Sequence, residues 1–305
     1  MGSVATLSDS NWPRASSLLV ASANPERRNA ALVGVATYAT SLSARSPLDT
    51  PGAIRRALER YATWSFRNRL DLLEHVALVD YGDVIDPDGP GGGERVREVL
   101  ARVDASVALR VILGGDNAAT WHALHALASE HYAGWGLVTL DAHFDLRDGV
   151  SNGSPVRQLI ADGLEPTHVV QVGLADFSNS AAYARRAHDL GIHVISRDEL
   201  RAEPIEVAMT RAVALAAGAG RRVYVDVDLD VADRAVVPAC PAAAPGGLSA
   251  DELRRALYVL GAAPSVAAID LTEIDLARDS ADERTVRLAA LLVLEALAGL
   301  ARRVL

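Results

Sequence analysis

Short apolar, β-branched runs recur along the chain at residues 111–113, 137–140, 168–172, 192–195, 222–225 and 266–269, and helix-like segments separate most of them. A run without polar alternation marks a strand buried on both faces, so the repetition predicts βα units and an α/β fold with a mainly parallel sheet. Ser249-Ala250-Asp251-Glu252 ahead of Leu253 fits a capping box and starts a helix. Residues 86–93, rich in Pro and Gly, form a surface loop between Val84 and a helix containing Val96 and Leu100. The most apolar stretch, 288–305, is interrupted by Glu295, Arg302 and Arg303 before it reaches the roughly 20 apolar residues of a membrane span, and reads as a core or subunit-interface helix. The first 30 residues carry weak periodicity and are expected to be partly mobile. With no tandem repeat and no long linker, 1–305 reads as a single domain.

Polar clusters follow four of these strands: Gly114-Gly115-Asp116-Asn117, Asp141-Ala142-His143-Phe144-Asp145, Asp226-Val227-Asp228-Leu229-Asp230 and Asp270-Leu271-Thr272-Glu273. Ligands of open parallel sheets gather beyond the carboxyl ends of the strands, so all four are expected to project into one crevice. In an extended chain alternate side chains share a face, which aligns Asp141, His143 and Asp145, and likewise Asp226 and Asp228. Carboxylates stacked in this way repel one another unless a cation lies between them. A ligand set rich in carboxylate and poor in imidazole favours a hard or borderline divalent ion such as Mn²⁺. Asp141 and Asp226 are the expected bridging ligands of two ions, with Asp145 and Asn117 on one and His143 and Asp228 on the other. Water bridging two such ions ionises near neutral pH, so hydrolysis is the expected reaction.

Composition narrows the chemistry. A net charge of −9 and a pI near 5.4 leave no basic footprint for nucleic acid or an anionic membrane surface, and a small-molecule substrate is the better expectation. All 30 basic residues are Arg, which excludes a Walker lysine, a Schiff-base lysine and a lysine base. The single Cys240 allows no intrachain disulfide, and residues 1–14 lack the basic start and apolar core of a signal peptide. Both point to the cytoplasm.

These strings resemble those of the ureohydrolases, the arginase and agmatinase group, over most of the chain. To the clusters above the resemblance adds Leu146-Arg147, Ser151-Asn152-Gly153-Ser154-Pro155-Val156-Arg157, Gln171-Val172-Gly173 with Phe177-Ser178-Asn179-Ser180, and Cys240-Pro241-Ala242-Ala243-Ala244-Pro245-Gly246-Gly247. The Phe-Asp-Leu-Arg, Asn-Gly-Ser-Pro and Cys-Pro segments are similar to the formimidoylglutamase branch. The resemblance implies a three-layer α/β/α sandwich, a pair of Mn²⁺ ions and a homo-oligomer, commonly a trimer or hexamer. It also implies hydrolysis of N-formimidoyl-L-glutamate to L-glutamate and formamide, a step of histidine degradation. Within that reading Glu273 positions the amidinium-like group and Asp145 orients the attacking hydroxide and relays its proton. Arg147, Arg157, Asn152 and Asn179 are the expected donors to the substrate's carboxylates.

One departure stands out. Where the superfamily usually has Gly-Gly-Asp-His this chain has Asn117, a neutral and weaker ligand than imidazole, so one ion is expected to bind less tightly. Asn152 stands about where arginases carry a shuttle histidine, which argues against arginase itself. Two alternatives stay open: a hydrolase of agmatine or another guanidino compound, and a metal-poor, non-catalytic relative. His122 and His125 read as packing on a helix rather than ligation, Asp230 as a support of the loop, Asp116 as a brace of the Gly-Gly turn, and Cys240 as uncatalytic because no base accompanies it.

Overall fold

A computed structural model describes residues 9–24, 26–44, 49–129 and 131–303. Eleven strands occur among them: β1 (Leu19–Val20), β2 (Arg28–Val35), β3 (Trp64–Ser65), β4 (Leu70–Asp71), β5 (Val76–Asp83), β6 (Val107–Gly114), β7 (Trp135–Leu140), β8 (Val169–Leu174), β9 (His193–Ser196), β10 (Arg222–Val227) and β11 (Val266–Leu271). The helices are α1 (Thr50–Ala57), α2 (Leu72–His75), α3 (Gly92–Ala101), α4 (Ala118–Ala128), α5 (Pro155–Ala161), α6 (Ala181–Leu190), α7 (Ile205–Ala217), α8 (Ala250–Ala262) and α9 (Arg284–Leu300).

Nine strands form one sheet in the order β1-β5-β2-β6-β11-β10-β7-β8-β9, and every pairing in it is parallel. Its central strands are buried on both faces. Leu109, Val111 and Leu113 of β6 enter one core with α1, α7, α8 and α9, while Val107 and Ile112 enter the other with α3, α4 and α5. Those two cores make the three-layer α/β/α sandwich, and they explain the unbroken apolar runs. The six expected strands are present.

The strands β2 and β5 were not legible as such, because Ala30, Ala31 and Gly34 in one and Ala77, Asp80 and Gly82 in the other dilute the β-branched signal. The expected mobility of the first 30 residues lies partly outside the described residues, at 1–8 and 25. The described part is folded: β1 pairs with β5, and Arg14 bridges to Ala62. The capping box forms as read, with Ser249 and Glu252 each accepting from the other's backbone N–H. The apolar C-terminal run is α9, a core helix whose Leu292, Val293 and Leu297 are 0–1% exposed. Among the described residues no helix is long and apolar enough to cross a membrane.

What positions the site is the order of the four middle strands. β6, β11, β10 and β7 are consecutive in the sheet, so the four polar clusters leave neighbouring parallel strands at one edge.

Candidate metal centre and the cavity beside it

Each cluster is set by a local device. After β6 the chain turns at Gly115, where a Cβ would lie 2.4 Å from the Thr37 carbonyl oxygen, so only glycine fits. Asp116 braces this turn, accepting from Thr37 Oγ1 (2.7 Å), the Ala118 N–H (3.1 Å) and the Ser41 hydroxyl. Asn117 then opens α4. After β7, Asp141 accepts from the His143 N–H (2.6 Å). Asn179 ties the same loop by accepting from Phe144 N–H (3.0 Å) and donating to Ala142 O (2.8 Å). Asp228 follows β10 and accepts from Asp230 N–H at 2.8 Å. Glu273 leaves β11 with its N–H on Gly115 O at 2.9 Å, which stitches the first and last clusters together.

Asp145 and Glu273 have φ of +52° and +65° and are 6% and 3% exposed. A left-handed backbone at residues bearing a Cβ is strained and tends to occur where a side chain must be aimed. These are the two residues assigned the chemistry from sequence.

The carboxylates converge. Burial first, then the charges of Asp145, Asp230 and Asp226, pushes the Asp141 carboxyl well above the usual range. Burial likewise raises Asp226, helped by Asp270 and Asp145, and Asp228, helped by Asp230 and Asp141. Burial lifts Asp145 to about 7, against the opposing His143 charge. Burial disfavours a charged His143, but the charge and hydrogen bond of Asp230 outweigh it and hold the imidazole at about 9. Asp230 is displaced the other way: burial would raise it, and the same imidazolium holds it low.

His143 Nδ1 lies 2.9 Å from Asp230 Oδ2 and 3.4 Å from Asp141 Oδ1. Asp141, His143 and Asp230 bring ligand atoms within 4.8 Å of one another, a grouping that could hold a metal ion. Asp230 also accepts from the Ala142 N–H at 3.2 Å, so it braces the loop and holds His143 from behind, in keeping with the support expected from sequence. Asp141 Oδ2 and Asp226 Oδ1 are buried without a hydrogen-bond partner. Buried carboxylate oxygens left unpartnered within a cluster of acidic neighbours suit a divalent cation, so the residues present fit Mn²⁺.

Asn117 is oriented differently from the expectation of a ligand oxygen. Its Nδ2 donates to Asp145 Oδ2 (2.6 Å) and Asp226 Oδ2 (3.4 Å), while Oδ1 accepts from Thr272 Oγ1 (2.8 Å) and Thr120 Oγ1 (3.0 Å). Beneath it Asp270 accepts from Tyr224 OH (2.7 Å), Thr120 Oγ1 (2.8 Å) and Val227 N–H (3.1 Å). Sequence reasoning assigned no role to Thr120, Thr272, Tyr224 or Asp270, although two of them stood in the fourth polar cluster.

A cavity of ≈ 320 Å³ opens beside the carboxylates, its wall including His143, Asp145, Asp228, Glu273, Arg147, Asn152 and Asn179. Glu273 Oε1 accepts from Asn117 N–H (2.9 Å) and Asn152 Nδ2 (2.8 Å), which fixes the carboxylate in that wall. Arg147 makes no ion pair among the described residues and packs over Gly153. Arg157 departs from the expectation. Its Nε donates to Arg147 O (2.7 Å) and its Nη2 to Gly149 O, so it stiffens the loop carrying Arg147 from behind and is absent from the cavity wall. Asn179 is in the wall, but both ends of its amide are engaged by the loop. His125 stacks on Trp121 and approaches Tyr132 OH at 2.6 Å, a packing role as read. Cys240 is buried.

The chain is similar to known proteins in sequence and in fold. Formimidoylglutamase of Halalkalibacterium halodurans is 33% identical over 277 residues, covering 88% of this chain and 86% of that one. Formimidoylglutamase of Bacillus subtilis is 31% identical over 283 residues, with 88% and 86% covered. Agmatinase of Halalkalibacterium halodurans is 28% identical, with 92% and 95% covered. Among solved structures, formimidoylglutamase from Bacillus subtilis superposes with a TM-score of 0.89 at 27% identity, over 100% of this chain and 97% of that one. The Mn²⁺-bound formiminoglutamase of Trypanosoma cruzi, at 22% identity and a TM-score of 0.84, covers 96% and 100% and shares the fold. The family model of the Arginase family matches residues 28–299, nearly the whole of the described chain, and the protein belongs to that family.

Proposed function

We propose that this protein hydrolyses N-formimidoyl-L-glutamate to L-glutamate and formamide. The observation that carries the reading is the joining, in one cavity wall, of a buried carboxylate nest with an arginine, Arg147, that has no anionic partner among the described residues. A dianionic amidine needs both. Agmatine bears no carboxylate, and Arg147 would repel it. The fit of the nest to a divalent ion favours this reading over that of a metal-poor relative.

Asp141, His143, Asp145, Asp226 and Asp228 would hold two Mn²⁺ ions, joined by Asp230 through its contact with His143. Bound there, the metal supplies Lewis acidity that ionises water near neutral pH. The rest falls to side chains. Glu273, held by Asn117 N–H and Asn152, pairs with the planar formimidoyl cation and presents its carbon to the nest. Arg147 takes a substrate carboxylate, and Arg157 keeps the Arg147 loop rigid. An oxygen–carbon bond forms and the bond from that carbon to the glutamate nitrogen breaks. Asp145, in the cavity wall beside the other carboxylates, is placed to orient the attacking water and carry its proton to the departing nitrogen.

With this reading go a homo-oligomer, trimer or hexamer, and a cytoplasmic setting. The deciding assay supplies Mn²⁺ and follows formamide and glutamate release from formimidoylglutamate beside arginine and agmatine. Turnover of the formimidoyl compound alone supports the assignment, and turnover of agmatine instead rejects it.

A further inference from the structure

The Asn117 amide lies between two unlike surroundings. In front stand Asp145 Oδ2 and Asp226 Oδ2, to which the amide gives its NH₂. Behind stand two hydroxyls, Thr272 Oγ1 at 2.8 Å and Thr120 Oγ1 at 3.0 Å, which donate to its Oδ1. A hydroxyl differs from a carbonyl or an N–H in that it can do either. Thr120 has a second acceptor in reach, Asp270 Oδ2 at 2.8 Å, and one proton to share between the two. Asp270 is itself fixed by Tyr224 OH and Val227 N–H, so it waits as an acceptor whichever way Thr120 turns.

A divalent ion between Asp145 and Asp226 inverts the requirement in front of the amide: NH₂ is repelled and a carbonyl oxygen is wanted. We propose that Thr120 and Thr272, with Asp270 behind Thr120, form a two-way hydroxyl seat that lets the Asn117 amide turn over when metal binds and present Oδ1 to the ion. In the turned state Nδ2 donates to the two hydroxyl oxygens, and the Thr120 proton passes to Asp270 Oδ2. Thr120, Thr272 and Asp270 are positioning residues, acting on the ion through Asn117. The inference rests on the metal reading above and not on the identity of the substrate. A histidine at 117 would need no such seat, because its ligating nitrogen is not exchanged for a donor by a half-turn of an amide.

The test is binding of Mn²⁺ to metal-free protein, followed through the electron paramagnetic resonance of free Mn²⁺, with thermal melts to confirm folding. Thr120→Val and Thr272→Val should each weaken the looser of the two Mn²⁺ classes by about tenfold, the value of one hydrogen bond, and leave the tighter class unchanged. Thr120→Ser, which keeps the hydroxyl, should restore it. In the Asn117→His background Thr120→Val should have less than about a threefold effect. Unchanged or tighter binding in both valine variants overturns the seat, as does equal weakening with and without Asn117→His. Failure of the parent protein to bind Mn²⁺ in either class overturns the metal reading itself and the inference with it.

Discussion

At the scale of single residues, the site is governed by which polar atoms have partners and which do not. Arg147 lines the cavity without an ion pair among the described residues, so Arg147→Ala should raise KM for formimidoylglutamate by about tenfold or more with little change in kcat, because a carboxylate contact serves ground and transition states alike. Unchanged steady-state kinetics would remove Arg147 from substrate binding. Asn117→His should tighten Mn²⁺ retention during dialysis against chelator, since imidazole is the stronger ligand. No gain in bound metal would show that position 117 lies outside the ion's reach. The acidic strings were legible because their alternation aligns them on one face before any tertiary structure is known. The orientation of Asn117 and the engagement of Arg157 were not, since both depend on partners distant in sequence: Thr272 for the first, the carbonyl groups of a folded loop for the second.

At the scale of elements, two cores explain why the strands were readable and the helices needed no special account. A strand pressed between α4 on one face and α9 on the other tolerates no polar residue until it emerges at the carboxyl edge, and there the polar clusters begin. Strands diluted by alanine and glycine, β2 and β5, escaped that reading. The far end of the same layer has its own fastening. Arg303 is 8% exposed and donates from Nε to Gly261 O, from Nη1 to Ala108 O and from Nη2 to Val266 O, each at 2.8 Å, tying α8, β6 and β11 together. Arg303→Met keeps the apolar stem but strands three carbonyls, and should cost about 2–4 kcal/mol in urea unfolding. A loss under about 0.5 kcal/mol would show the fastening to be dispensable.

For the molecule as a whole, the nest makes stability depend on pH and metal together. Asp145 at about 7 and His143 at about 9 both lie above their unfolded values of roughly 4 and 6.5, so the metal-free fold holds protons that the unfolded chain has released. Their contributions are complete at low pH. Asp145's is lost as pH rises from about 4 through 7 and His143's from about 6.5 through 9. Asp230, held low, acts in the opposite sense only near and below about pH 4. Chelator-treated protein should therefore melt at progressively lower temperature from about pH 5 to pH 9. Mn²⁺ affinity should climb across that interval, by up to about tenfold per pH unit for each proton displaced. A melting temperature that rises with pH in the chelator-treated protein would contradict the convergence of these groups.

The order of the sheet has a consequence for synthesis. β6 and β7 are made early, yet they stand apart until β10 and β11 slide between them. Asp141 and His143 can therefore leave the ribosome well before Asp226 and Glu273 exist to face them. A nascent chain arrested short of β10 should carry half a cage and release its ion to any chelator, while one extended past α9 should keep it.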